Sequence, residues 1–130
     1  MLFKNIILCV VLTTSLLGFP TKVIAEPVEI AKSSNIKVYA FEKVLNRWGD
    51  GQWVSFNELI NRESHWNNLE QNPNSTAFGI GQFLDSTWAL VSCKKTTNAY
   101  KQVDCTIDYI EKFYGNPDKA VSFHRKNNYY

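Results

Sequence analysis

The chain is predicted to fold as a small, all-α (mainly α) domain, on three observations. Apolar residues recur at helical spacing through most of its length, and residues suited to helix ends sit where those periods begin and stop. No stretch alternates long enough to argue for a strand. With 130 residues, 45% hydrophobic and 20% charged, the chain suits one domain with a real core.

Residues 1–25 read as a secretory signal. Lys4 gives a small positive start, Ile6 to Leu17 is almost unbroken apolar sequence, and Gly18-Phe19-Pro20 breaks it. Val23-Ile24-Ala25 then offers a cleavage site near Ala25, so the protein is expected to be exported, either periplasmic or secreted. A membrane anchor is the rival reading, but the run falls short of the roughly 20 residues a bilayer span needs. Leu8 precedes Cys9 where a lipoprotein signal wants a small residue, so Cys9 is not read as a lipidation site.

Cleavage removes Lys4 and Lys22 from 14 basic residues and no acidic one, leaving 12 of each sign. A neutral chain lacks the basic footprint that nucleic acid requires. Two cysteines remain, Cys93 and Cys105. In an exported chain an even pair favours a disulfide, and no histidine lies near enough to make a metal site of them.

Residues 26–36 show no sustained period and are expected to form a flexible lead-in to a domain spanning 37–130. Val38, Phe41, Val44, Leu45 and Trp48 mark the first helix, stopped by Gly49-Asp50-Gly51. A second helix is expected from about Val54 to Ser64, with Phe56, Leu59 and Ile60 as its stripe. Residues 65–82 are rich in Asn, Ser, Pro and Gly and read as a long irregular segment, of a length that is usually functional or disordered. Asp85 or Ser86 can cap a short helix carrying Trp88, Leu90 and Val91. A longer helix follows from about Asn98 to Tyr114, with Tyr100, Val103, Ile107, Ile110 and Tyr114 on one face and Gly115 at its end. Asn116-Pro117 starts the last helix, which carries Ala120, Val121, Phe123 and His124.

Glu63 stands out. It lies seven, four and three residues after Phe56, Leu59 and Ile60, so on a helix its carboxyl points where the core residues point. Burying an unpaired carboxylate raises its pKa, and a carboxyl protonated near neutral pH is what a general acid for glycosidic cleavage must be. The plainer alternative is that Glu63 reaches solvent or pairs with Arg62 or His65. Downstream, Gly79 and Gly81 allow close backbone approach or a positive φ, and Gln82 offers both a donor and an acceptor. A lone Gly-x-Gly-Gln is most often an ordinary turn, and no lysine follows to make it a phosphate loop.

In order along the chain, Asn61-Arg62-Glu63-Ser64-His65-Trp66-Asn67, Asn72-Pro73-Asn74-Ser75-Thr76-Ala77-Phe78-Gly79-Ile80-Gly81-Gln82-Phe83 and Tyr109 through Pro117 with a Tyr129-Tyr130 ending form three motifs. Together they resemble the lytic transglycosylases of the goose-lysozyme-like, soluble-transglycosylase-domain superfamily, in their small secreted form. The resemblance implies a lysozyme-like helical domain with a sugar-binding cleft and peptidoglycan glycan strands as substrate. It implies Glu63 as the single catalytic acid and base, with Ser64, Phe78, Gly79, Gly81, Gln82, His124 and Tyr130 at the substrate. No metal or organic cofactor is implied. A monomer is expected, with an envelope or secretion machine as candidate partner. The chain departs from the pattern at Ser122-Phe123-His124, where members often carry Ala-Tyr-Asn. His124 either substitutes for what is lost or is structural, and Tyr130 either lies in the cleft or closes the core. Two other functions stay open: a water-using muramidase, with Asp85 or Glu70 as second carboxylate, and a non-catalytic peptidoglycan-binding protein.

Overall fold

Residues 27–130 are described by the computed structural model, with side-chain surroundings from Asn35 onward; the expected signal segment 1–25 lies outside them. The helices are α1 (Pro27–Trp48), α2 (Trp53–Glu63), α3 (Asp85–Leu90), α4 (Ala99–Tyr114) and α5 (Pro117–Asn127), with a 3-10 turn at Asp50–Gln52. No strand forms among the described residues, so the mainly α expectation holds. Isolated bridges from Gln71 to Phe78 and from Phe78 to Phe83 tie the long loop to itself.

α1 corrects two expectations. It starts at Pro27, so residues 27–36 are helix and not a flexible lead-in. Proline is well suited to a first helical turn, and no glycine or second proline interrupts the segment before Trp48. A missing apolar period does not stop a helix that is already nucleated. The buried face is also phased differently, running through Ile36, Ala40 and Val44 at i, i+4 and i+8. Val38, Phe41 and Leu45 from the expected stripe stay exposed.

α2 buries Phe56, Leu59 and Ile60 completely, as its period requires. At its end His65 and Trp66 take left-handed conformations (φ 51° and 67°) and reverse the chain. Trp66 folds back onto Trp53 and Phe56, and its Nε1 donates to Asn57 Oδ1 at 3.0 Å. Neither Asp85 nor Ser86 caps α3. Leu84 occupies the cap position without a side-chain bond, and the Thr76 hydroxyl accepts from Asp85 N at 3.2 Å instead. Within α3 Trp88 is buried while Leu90 is exposed.

The remaining helix ends follow the sequence closely. The Asn98 side chain accepts from Lys101 N at 3.1 Å, and the Asn116 side chain accepts from Lys119 N at 3.0 Å ahead of Pro117. Gly115 closes α4. α4 buries Val103, Ile107 and Ile110 as expected, but Tyr100 is exposed and Gln102, Cys105 and Thr106 are buried beside the stripe.

α2 packs on α5 and α1 on α4, enclosing one main core. A second cluster of Phe83, Trp88 and Cys105 lies under the loop, with Phe78, Tyr109 and Tyr130 against it. Ion pairs fix register across the helix faces: Arg47 of α1 meets Asp108 and Glu111 of α4, and Arg125 of α5 meets Glu58 of α2. Exposed pairs of this kind contribute about 0–1 kcal/mol each, so they orient helices more than they stabilise them.

Cys93 and Cys105 are disulfide-bonded, with Cα atoms 6.2 Å apart. The bond joins the segment after α3 to the buried face of α4. Closing a loop of this size stabilises the fold by about 3 kcal/mol. Replacing both cysteines with serine should therefore lower stability by about 2–3 kcal/mol, read by urea melts. Free alkylation of both thiols in unreduced native protein would show instead that the bond does not form.

Candidate active site

Glu63 is the last residue of α2, one turn beyond Leu59 and Ile60. Its side chain is only 13% exposed, and burial pushes its carboxyl from an ordinary 4.5 up to about 7. α5 packs alongside and presents His124, buried, with Nε2 at 2.9 Å from Glu63 Oε1. That is hydrogen-bond distance, although the ring N–H axis is not aligned on the oxygen, and Oε1 has no other partner. Burial pushes the imidazole down, and the positive charge of Arg62 acts the same way against a weaker opposing pull from Glu58. Both members of the pair are therefore held toward their neutral forms. Three fully buried apolar side chains in the same stretch of α2 contribute roughly 1.5–3 kcal/mol each, which outweighs the cost of keeping a neutral carboxyl among them.

A cleft of about 480 Å³ opens over this pair. α2 contributes Arg62 and Glu63, the loop Asn72, Ala77, Gly81, Gln82, Phe83 and Leu84, α3 Thr87, and the C-terminal region His124, Asn128, Tyr129 and Tyr130. Glu63 is the only acidic group among these lining residues. Tyr130 closes one side, its hydroxyl donating to Gly81 O at 3.3 Å. Its phenol is raised well above the ordinary value by burial and by the negative charge that Glu63 carries when ionised.

The cleft wall is held by buried polar groups from two helices. Gln102 of α4 accepts from Ile80 N at 2.8 Å and donates to Asn68 O at 2.9 Å and Thr96 O at 2.7 Å. Ser64 donates to Ile80 O at 2.8 Å, so both backbone groups of Ile80 are satisfied by side chains. The glycines answer to this packing. Gly79 has φ +80°, and a Cβ there would stand 2.7 Å from the Gln102 amide. At Gly81 it would stand 2.6 Å from Thr106 Oγ1 and 3.0 Å from the Tyr130 hydroxyl.

Of the residues expected at the substrate, Gly81, Gln82, His124 and Tyr130 join Glu63 at the cleft. The other three do not line it. Ser64 is buried and braces the loop from below. Gly79 is buried against Gln102, and Phe78 packs with the second cluster while Lys95 lies over its ring. Gln82 is partly committed as well, since its Nε2 donates to Glu70 O at 3.1 Å and Gly79 O at 2.9 Å. Asn72, Thr87 and Asn128 are lining residues that sequence reasoning missed, because nothing local marks which loop side chains converge. Gln102 could have been found: it extends the buried face of α4 at i, i+3, i+4 with Cys105 and Thr106.

Asp85 pairs with Lys95 at 2.7 Å and Glu70 accepts from Asn67 at 2.9 Å, and neither lines the cleft. Glu58, held at about 2 by its bonds to Arg125 and Arg62, belongs to the outer face of α2. No family model, curated protein or solved structure matches the chain.

Two outcomes are expected. Gln102→Ala leaves Ile80 N, Asn68 O and Thr96 O without their partner, so it should cost about 2–4 kcal/mol in a urea melt. A loss within experimental error would remove Gln102 as the brace. Glu63 keeps its proton in the folded chain up to about 7 but loses it near 4.5 when unfolded. Its contribution to stability thus falls as pH rises from about 4.5 to about 7 and then levels off, a step on the order of 3 kcal/mol. Glu63→Gln should flatten that step when melts are compared across the pH range, whereas an unchanged slope would place the carboxyl in solvent.

Proposed function

We propose that this protein cleaves the MurNAc–GlcNAc glycosidic bond of peptidoglycan as a lytic transglycosylase, with Glu63 as its only acid and base. The observation that carries the reading is one carboxyl, titrating at about 7, at the floor of a cleft that no second acidic residue lines. Protonated Glu63 gives its proton to the leaving glycosidic oxygen as the bond to the sugar breaks. The substrate's N-acetyl group or C6 hydroxyl then stabilises or captures the sugar cation. Glu63, now a carboxylate, takes the C6 hydroxyl proton as that oxygen closes on the anomeric carbon. The products are a new GlcNAc end and a 1,6-anhydro-muramoyl end, and Glu63 is protonated again.

The cleft suits such a substrate, since amide and hydroxyl groups from Asn72, Gln82, Thr87 and Asn128 share it with the rings of Phe83, Tyr129 and Tyr130. Sugar rings present both hydroxyls and apolar C–H faces, so they need both kinds of wall. The motifs around Glu63 and Gln82 support the same family, and the Cys93–Cys105 bond fits an oxidising, exported setting. A water-using muramidase would need a second carboxylate opposite the first. Asp85 and Glu70 are engaged away from the cleft, which favours the substrate-assisted route. The protein is proposed to work as an exported monomer, periplasmic or secreted, on glycan strands, with an envelope or secretion machine as the candidate protein partner.

Glu63→Gln retains size but cannot pass a proton, so turnover of purified peptidoglycan should fall by about 10²–10⁴ while the domain stays folded. In the wild type, activity should fall as pH rises through about 7, where the acid is lost. Mass spectrometry of released muropeptides reads the chemistry directly. Anhydro ends support the proposal, reducing ends indicate hydrolysis, and no release from folded wild-type protein leaves only a binding role.

A further inference from the structure

Glu63 has two carboxyl oxygens, and the fold treats them differently. Oε1 is fully buried, 2.9 Å from His124 Nε2, whereas Oε2 is not among the buried unpartnered atoms. The exposed fraction of the side chain therefore belongs to the Oε2 side, toward the cleft. His124 Nδ1 is also buried without a partner. An unpaired buried N–H is rarer than an under-satisfied acceptor, so the tautomer with hydrogen on Nε2 is favoured. In that tautomer the hydrogen sits on the nitrogen 2.9 Å from Oε1, a turn of the ring away from alignment with it, and the carboxyl proton resides on Oε2.

Resting on the function proposed above, we propose that His124 is the positioning residue of Glu63: its Nε2–H seats buried Oε1, so that Oε2 is the oxygen that meets the glycosidic bond. A carboxyl free to turn about its last torsion presents either oxygen, and either can lack the proton when substrate arrives. Pinning Oε1 removes that ambiguity. After Oε2 has given up its proton, the charge on the carboxylate is partly met by the same N–H, a contact that tightens as it becomes charge-assisted. The imidazole takes no proton in the cycle.

The groups around the pair bear on how it titrates. From α2 the imidazole faces Glu63, Arg62 and Glu58, from the C-terminal segment Tyr130, and on its own helix Arg125 is tied to Glu58. Glu63 in turn faces Tyr109 and Tyr114 of α4 and Tyr130. Arg62 opposes a second positive charge on the ring, which helps keep it neutral and able to donate a single, directed N–H.

The test compares His124→Phe, which keeps a ring but no donor, with His124→Gln, whose amide nitrogen reaches a similar position. With muropeptide release as the assay, His124→Phe should lower kcat on the order of 10–100-fold with little change in KM. It should also displace the alkaline limb of the pH profile, and His124→Gln should restore most of both. Equal kcat and an identical alkaline limb in His124→Phe and wild type would overturn the proposal. A second measurement needs no activity: the His124 ring resonances of intact protein, followed by NMR through the Glu63 titration. Those signals should move with Glu63 ionisation in the wild type and lose that step in Glu63→Gln. Identical titrations in the two proteins would overturn the seating even if His124→Phe fails to fold. Wild-type protein that shows the coupled titration but releases no muropeptide would retain the seating and overturn the glycan-cleaving function.

Discussion

The loop wall of the cleft depends on one fully buried amide. Gln102 fills the space between α4 and the long loop and bonds to the backbone of residues 68, 80 and 96, which belong to two different connections. The loop is anchored by buried Trp66, Ile80 and Phe83, but its polar stretches leave backbone groups that something rigid must satisfy. A helix-borne amide meets three of them at once. The requirement then spreads: Gly79 must lack a side chain to clear the amide, and Thr106 donates to Gln102 O at 2.8 Å one turn further on. From Thr106 the constraint reaches Gly81, and from Gly81 it reaches the hydroxyl of Tyr130. One wall of the cleft is therefore set from inside the core.

The opposite wall works by exclusion. α2 and α5 pack tightly enough to strip water from Glu63 and His124; removing water shifts Glu63 toward neutrality without any charged partner, and shifts His124 the same way with help from Arg62. Burial alone raises Glu63, which distinguishes it from Glu58 on the same helix, one and a half turns earlier. Glu58 faces outward, meets two arginines and stays ionised. Two glutamates on one helix thus end at about 2 and about 7 because one face meets solvent and cations and the other meets the core.

Much of this was legible in the sequence, and the failures have physical causes. The phase of α2 placed Glu63 with Phe56, Leu59 and Ile60, and the caps at Asn98 and Asn116 fixed where α4 and α5 begin. Those features are local, so a local reading finds them. α1 was misread because two stripes run along it. Ile36, Ala40 and Val44 line the buried face at four-residue spacing, while Val38, Phe41 and Leu45 form a second apolar stripe that dominates the hydrophobic period but remains exposed. Ser64, Phe78 and Gly79 were assigned to the substrate because their motif neighbours reach it. In the fold they hold the motif up, and only the three-dimensional loop tells support from contact.

The staples make sense of the cleft's cost. A domain of about 100 residues has limited core to spend, as small folds bury a smaller share of their surface. This one nonetheless gives interior volume to a carboxyl, an imidazole and an amide, and leaves Glu63 Oε1 and His124 Nδ1 without good partners. The Cys93–Cys105 bond is placed where it helps most, fastening the segment after α3 to the helix that carries Gln102, Thr106 and Tyr109. Cys105 belongs to the second cluster with Phe83 and Trp88, so the bond also clamps the loop from its far side. Stability is thus concentrated on the brace, and the poorly satisfied pair is tolerated at the floor of the cleft. A cation beside Glu63 would satisfy the carboxyl more fully, but it would also favour the carboxylate and remove the uncharged acid on which proton transfer at neutral pH depends.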